Sequence, residues 1–367
     1  MSARRRRILF TAALAPFAAA GAQGVETVET RIGPQFQSIR IWSPIGERID
    51  QLALPIAVSV PIGPRLVVDV ATAYATVEVA PLGHDGAGST IRGLTDTQVR
   101  ARWTFGADAV MLSAGVSLPT GESAVAEDEI SAAGRIGNDF LAFPISNMGT
   151  GLAATAGAAV ARPVGSWNLG AGVSASWSAE YDAFDGEATP EVRYRPGSEL
   201  RLRVGGDRGV AGGRLAMGLT WSGFGADEAN GYAYGTGDRW VAQGSYARPI
   251  RGADVAVSAW SLARGAGRGL TSTTLPPEHV VGAATSVGVR VRGVRLEPHV
   301  EGRLWSRDGE EAGRLAVLGV RTRVDAFGFS FAPSIAQVSG RFAAPDGSNA
   351  VLSGARISLA IGHSLGR

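Results

Sequence analysis

The sequence predicts an all-β chain, an antiparallel transmembrane β-barrel of about sixteen strands with short periplasmic turns and longer extracellular loops. Three observations predict it. Apolar and polar side chains alternate residue by residue in one segment after another, so each strand has two unlike faces. The breaks between segments alternate in length, with short turns at 61–64, 106–108, 163–166, 209–213, 249–252, 292–293 and 325–326 and mostly longer loops between them. The N-terminus has the layout of an export signal. Counts of about twelve or fourteen also fit, if the first strand is a tail or a plug.

The export signal comes first in the chain. Arg4 to Arg7 form a cationic block, Ile8 to Ala20 an apolar run and Ala20-Gly21-Ala22 a small-residue cleavage pattern. The run is too short to span a bilayer. Residues 1–22 are therefore expected to be a signal peptide and 23–367 the barrel. Removing the signal takes the formal charge from +2 to −2, so the high pI gives no reason to expect nucleic acid as a partner. All 35 basic residues are Arg, and the absence of Cys excludes disulfides, thiolate metal sites and thiol nucleophiles.

After the signal, no run of eighteen apolar residues follows, so crossing by helices is not expected. Gln35 to Trp42 reads as a first, weaker strand. Leu52, Leu54, Ile56, Val58 and Val60 mark the second, and Arg65 to Val79 the third. The clearest hairpin follows a loop at Pro81 to Arg92. In it, Asp96, Gln98, Arg100, Arg102 and Thr104 oppose Thr97, Val99, Ala101, Trp103 and Phe105, and beyond the turn Val110, Leu112, Ala114, Val116 and Leu118 continue the apolar face. Glu122 to Asn147 is the longest stretch without alternation. Strands resume at Thr150 to Ala161, Trp167 to Tyr181, Glu199 to Val204, Leu215 to Trp221, Arg239 to Ala247, Val255 to Ser261, Val281 to Val291, Val294 to Trp305, Leu315 to Val324, Phe327 to Ile335 and Val351 to Leu365.

Either a soluble sandwich or a membrane barrel makes such hairpins. The turn asymmetry and the aromatics favour the barrel. Trp103, Trp167, Trp177, Trp221 and Trp240 sit at strand ends, where amphipathic rings suit the headgroup layer. Trp260 and Trp305 fall on the polar face by parity and are exceptions.

If the apolar face meets lipid, the other lines the lumen. Arg295, Glu297, His299, Glu301 and Arg303 follow one another on one face of one strand, with Arg290 and Arg292 on its neighbour. Arg100, Arg102, Arg201, Arg203, Arg321 and Arg323 are further lumen candidates. Charge in such numbers is costly in a dry core and natural around water. It serves either as a solvated wall braced by Arg–Glu pairs or as a field that selects solutes. Glu122, Glu127, Asp128 and Glu129 make the long non-alternating stretch a candidate constriction or lid.

Enzymatic chemistry finds little support. Of His84, His279, His299 and His363, none has a metal-ligand partner at the required spacing. A Gly-x-Ser-x-Gly elbow is absent, and without Lys there is no P-loop. No cofactor or metal is expected, and the chain is not expected to be an enzyme.

Gly93, Leu94, Asp96 and Thr97, then Leu118, Pro119, Thr120 and Gly121, then Asn147-Met148-Gly149-Thr150-Gly151, together resemble the meta-pathway phenol degradation family of outer-membrane transporters. The likeness covers about sixty residues and implies a barrel that moves hydrophobic or aromatic compounds. The expected partners are outer-membrane lipid, a small solute and the barrel-assembly machinery. Barrels handled by that machinery commonly end in an aromatic residue, whereas this chain ends His363-Ser364-Leu365-Gly366-Arg367. The alternatives are a structural or surface-interaction barrel with a closed lumen and a secreted soluble β-sandwich.

Overall fold

A computed structural model of the protein describes residues 27–42, 46–82, 87–106, 109–136, 139–185, 192–269, 273–343 and 349–366. The expected signal peptide and His84 lie outside the described residues. Sixteen antiparallel strands form one closed sheet. They are β1 (Thr27–Ile32 with Gln35–Trp42), β2 (Glu47–Ile62), β3 (Leu66–Pro81), β4 (Ser89–Leu94 with Thr97–Phe105), β5 (Val110–Leu118), β6 (Ala153–Val164), β7 (Trp167–Ser178) and β8 (Glu199–Val210). The second half consists of β9 (Gly213–Phe224), β10 (Arg239–Ile250), β11 (Ala253–Arg264), β12 (Glu278–Val291), β13 (Val294–Arg307), β14 (Glu310–Ala326), β15 (Phe329–Ala343) and β16 (Asn349–Gly366). Each pairs with the next, and β16 closes the ring on β1. Closure satisfies every strand edge within the sheet, which the hydrocarbon layer requires.

The outer face is the predicted apolar one. Leu318 is 65% exposed, Leu304 58%, Val160 51% and Val173 45%, values that fit a lipid-facing band and would be costly around water. Trp103, Trp177 and Trp240 are exposed near strand ends, while Trp260 and Trp305 turn inward, as their parity predicts.

Five hairpin turns between the barrel strands are two residues long with positive φ at both positions among the described residues: 211–212, 251–252, 292–293, 308–309 and 327–328. That backbone matches the right-handed strand twist, and Gly at the second position adopts it without a Cβ clash. Two expectations are corrected here. The last short turn is Phe327-Gly328 rather than 325–326, because Asp325 and Ala326 still pair with Ser330 and Phe329. Residues 305–315 form no loop; β13 and β14 continue to Asp308-Gly309, an Asp-Gly hairpin on the extracellular side, with a bulge at Trp305/Ser306.

The barrel has a tall and a low wall. β6 to β11 are 12 residues each, whereas β2, β3, β14 and β16 have 16, 16, 17 and 18. About ten residues cross a bilayer, so the tall wall projects beyond it on the extracellular side. There its polarity inverts. Arg40, Arg48, Glu78 and Arg92 point outward, and Ile39, Ile41, Ile49, Val77, Val79, Ile91, Val338 and Leu352 point inward and are buried. In this sector the inner face is apolar, unlike the charged inner face that runs from Arg295 to Arg303. Apolar wall residues are stable there because a segment of the chain covers them.

Candidate functional site: the lumen and its docked segment

That covering segment is residues 119–152, between β5 and β6. It begins at a bulge. Across the β3–β4 ladder, Leu94 pairs with Tyr74 but Gln98 pairs with Ala71, so β4 carries one extra residue there. Above the bulge, Ser89 and Ile91 face inward; below it, Asp96, Gln98, Arg100 and Arg102 do. The insertion shifts the parity and turns Asp96 into the barrel, where it is 7% exposed.

The residues carrying the family resemblance meet at this point. Asp96 Oδ1 accepts the Gly121 amide at 3.1 Å, and Oδ2 accepts the Thr150 amide at 2.6 Å. Thr120 Oγ1 accepts the Thr97 amide at 2.8 Å and donates to the Thr95 carbonyl at 3.2 Å. Gly121 is required by space: a Cβ there would lie 2.3 Å from the Met148 carbonyl oxygen and 2.6 Å from the Asp96 nitrogen. Gly93 faces Glu122 with room to spare, and Pro119 leads the chain off β5. The motif is thus a clasp that gathers both ends of the segment to one bulge.

Between its clasped ends the segment enters the barrel. It makes a short strand at Val125–Ala126, a turn of 3₁₀ helix at Glu127–Glu129 and an α-turn at Ile130–Ala133. Ser89 Oγ donates to the Asp128 carbonyl at 2.6 Å and accepts the Ala132 amide at 3.1 Å. The Gln51 side-chain oxygen accepts the Ile145 amide at 3.2 Å, and Gln37 donates to the Leu141 carbonyl at 3.4 Å. Phe140, Leu141, Ile145 and Met148 bury themselves against the apolar inner wall, and Phe140 stacks on Trp305 with centroids 5.6 Å apart.

Two inward arginines latch the centre of the segment. Arg303, 2% exposed, donates to the Phe140 carbonyl at 2.8 Å and pairs with Glu301. Arg356 donates to the Leu141 carbonyl at 2.8 Å. Exposed ion pairs add at the edges, Arg264 with Asp139 at 3.1 Å and Arg135 with Glu47 at 2.9 Å.

The predicted lumen arginines are largely braced. Arg102 pairs with Asp69 at 2.8 Å, Arg201 with Glu199 at 2.8 Å, Arg295 with Asp254 at 2.8 Å and Arg323 with Asp325 at 3.2 Å. Glu297 lies 3.6 Å from both Arg295 and Arg321. His299 and Arg203 lie on the same inward parity. Arg100 and Arg290 make no ion pair among the described residues. Arg292 departs from the expectation: it occupies the turn itself, at φ 48°, and so is not part of the wall. Of the four acidic residues proposed for a constriction, Glu129 accepts the Ala126 amide at 3.1 Å, while Glu122, Glu127 and Asp128 are exposed. The docking contacts come from residues 128–136 and 139–148.

Gln37, Gln51, Ser89, Asp139, Arg264 and Arg356 are among the site residues that the sequence pattern did not single out. Parity alone would have found the wall members, since each shares the inward set of its strand. The low wall is different: on β5 to β7 the inward residues include Ser113, Gly115, Ser117, Gly157, Gly172, Ser174 and Ser176.

Above the barrel, Tyr181–Asp182, Arg193–Arg195, Asp227–Ala229 and Tyr232–Tyr234 form a small extracellular sheet. Its tyrosines interlock, with Tyr181 edge-on to Tyr194 at 5.4 Å and Tyr194 stacked on Tyr234 at 6.1 Å. Burial, then neighbouring Tyr234, Asp96 and Asp227, push the Tyr181 phenol up to about 12. Burial raises Tyr194 as well. Phe184–Asp185 pairs with Val125–Ala126, which ties this roof to the docked segment.

No known family profile matches the sequence, and no curated protein does. Solved structures resemble it in fold. CdiB of Acinetobacter baumannii is 9% identical with a TM-score of 0.50, over 92% of this chain and 61% of CdiB. An outer-membrane channel of Pseudomonas putida F1 is 13% identical with a TM-score of 0.42, over 96% and 100% of the two chains. OccK11 of Pseudomonas aeruginosa is 11% identical with a TM-score of 0.44, over 92% and 96%. The closed sixteen-stranded sheet, its apolar outer band and its two-ended turn pattern make the chain an outer-membrane β-barrel.

Proposed function

We propose that the barrel is an outer-membrane channel for small solutes, narrowed from one side by segment 119–152. The observation that carries this is the asymmetry of the lumen. The segment is clasped at Asp96 and packed on the tall wall, while the facing β5–β7 wall presents Ser and Gly to the interior. Barrels of this strand number enclose an aqueous channel unless something fills it. The braced arginines give the path a polar, charged lining suited to water and polar solutes. The motif likeness to the phenol degradation family adds hydrophobic or aromatic compounds as the solute class, and Phe140, Trp260 and Trp305 supply apolar aromatic surface beside the lining. On this reading the barrel-assembly machinery inserts the chain.

Single-channel recording in planar bilayers tests it, with liposome swelling over solutes of graded polarity. Discrete conductance in the whole protein, and a larger one after shortening residues 122–147, is the expected result. The second reading, a structural barrel with a closed lumen, is favoured by the apolar plug that Phe140, Leu141 and Ile145 form. It predicts no current from the whole protein and none from the shortened one.

A further inference from the structure

We infer that the outer wall at β12–β15 binds a phosphate-bearing lipid of the extracellular leaflet. Arg314 on β14 and Arg341 on β15 are directly paired in the ladder, and both point outward. Like charges opposite one another on one face repel. The only carboxylate ion-paired with either among the described residues is Glu311, 3.7 Å from Arg341. Arg314 has none. Two guanidiniums against one carboxylate leave a positive site on a face that otherwise meets lipid.

Height places this pair at the headgroup layer. The cross-strand row runs from Trp42 through Val351, Arg341 and Arg314 to Leu304. Leu304 in the same row, and Ala316, Leu318 and Val320 next along the outward face of β14, are exposed, so apolar band and charge meet at Arg314, as they do at an interface. Arginine is tolerated on a barrel's outer face near the interface and costly at the midplane.

Beside Arg314 the wall is grooved. A depression of about 560 Å³ opens among Val281, Gly302, Leu304, Arg314, Ala316 and Ser339. Gly302 creates it, since a Cβ there would meet nothing within 4 Å. Anionic headgroup and acyl chain thus find adjoining receptors, the guanidinium pair and the groove. A second lipid-facing groove, of about 490 Å³ among Phe36, Leu52, Val320, Ile335 and Ile357, has no charged lining and lacks the first requirement. Bidentate hydrogen bonding of guanidinium to phosphate fixes the chemistry of the headgroup.

Native mass spectrometry of the full chain, purified in mild detergent and incubated with diphosphoryl lipid A, tests the site. Two variants are compared with the parent: Arg314→Ser/Arg341→Ser, which removes the charge, and Gly302→Trp, which fills the groove. Heat-modifiable migration selects preparations that are closed barrels. The double variant should retain lipid A about thirtyfold less well, and Gly302→Trp should also reduce retention. Retention equal to the parent in the double variant overturns the proposal. So does displacement of lipid A by inorganic phosphate alone, which would make the pair a free-anion site. Should neither variant close, the parent incubated with dephosphorylated lipid A gives the answer: undiminished retention overturns the site, and loss of retention supports it.

Discussion

The Asp96 carboxylate accepts the Thr150 amide at 2.6 Å across 54 residues of sequence, and its other oxygen accepts the Gly121 amide at 3.1 Å. One buried side chain therefore closes the whole inward segment. Asp96→Ala leaves two backbone donors without their acceptor and should cost about 2–3 kcal/mol at the clasp. The expected outcome is a closed barrel whose segment is cut faster by protease and whose conductance is larger and noisier. Asp96→Asn, which keeps one carbonyl acceptor, should lie between. Unchanged protease sensitivity in Asp96→Ala would remove the clasp from the account.

Arg303 gives a second handle on the same segment. Arg303→Met removes the donor to Phe140 and strands Glu301 against an apolar surface. Breaking a buried pair from one side costs about 3–5 kcal/mol. The segment should undock while the outer band, which Arg303 does not touch, still inserts. Adding Glu301→Gln should restore part of the loss, because the stranded charge disappears; a double variant no better than the single one argues against the ion pair as the latch.

Neighbouring positions on β7 test the assignment of faces. Val173 points to lipid and is 45% exposed, whereas Ser174 points inward. Val173→Arg should impair folding into vesicles by about 2–4 kcal/mol if the site is near the midplane. Ser174→Arg should fold normally and lower conductance. A soluble, monomeric Val173→Arg protein would contradict the membrane barrel.

The roof should respond to alkali. Tyr181 loses its proton at about 12 in the folded protein, above the ordinary 10.0. A phenol whose folded pKa is raised contributes stability that is complete below the unfolded value and is lost as pH rises through the folded one. The small extracellular sheet should therefore hold to about pH 10 and loosen as pH approaches 12, ahead of the barrel. An ultraviolet titration of tyrosinate in the parent and in Tyr181→Phe checks this. Tyr181 ionising at the ordinary value would refute it.

Much of the barrel was legible because a strand's two faces are written at a period of two residues. Val110 to Leu118 and Trp167 to Trp177 could be assigned to lipid without knowing their neighbours, and the turn lengths ordered the strands. The same rule put Arg100, Arg102, Arg201, Arg203, Arg295, Arg303, Arg321 and Arg323 on the face opposite the apolar band, and it set Trp260 and Trp305 there as well. It failed at Arg292, where a two-residue turn takes the residue out of the ladder, and at Asp308-Gly309, where two strands continue past the membrane.

What the sequence by itself determined is thus the local pattern: which residues alternate, where the chain reverses and which face is greasy. Tertiary structure alone decided what lies inside. The inward Ile39, Val77 and Leu352 oppose outward Arg40 and Glu78, and nothing local says that residues 128–136 and 139–148 will cover them. Asp96 meets Thr150, Gln51 meets Ile145 and Arg356 meets Leu141 across distances of 54, 94 and 215 residues. Such contacts form only when the barrel closes and brings its wall around the segment, because a buried polar group must find its partner wherever the fold places it.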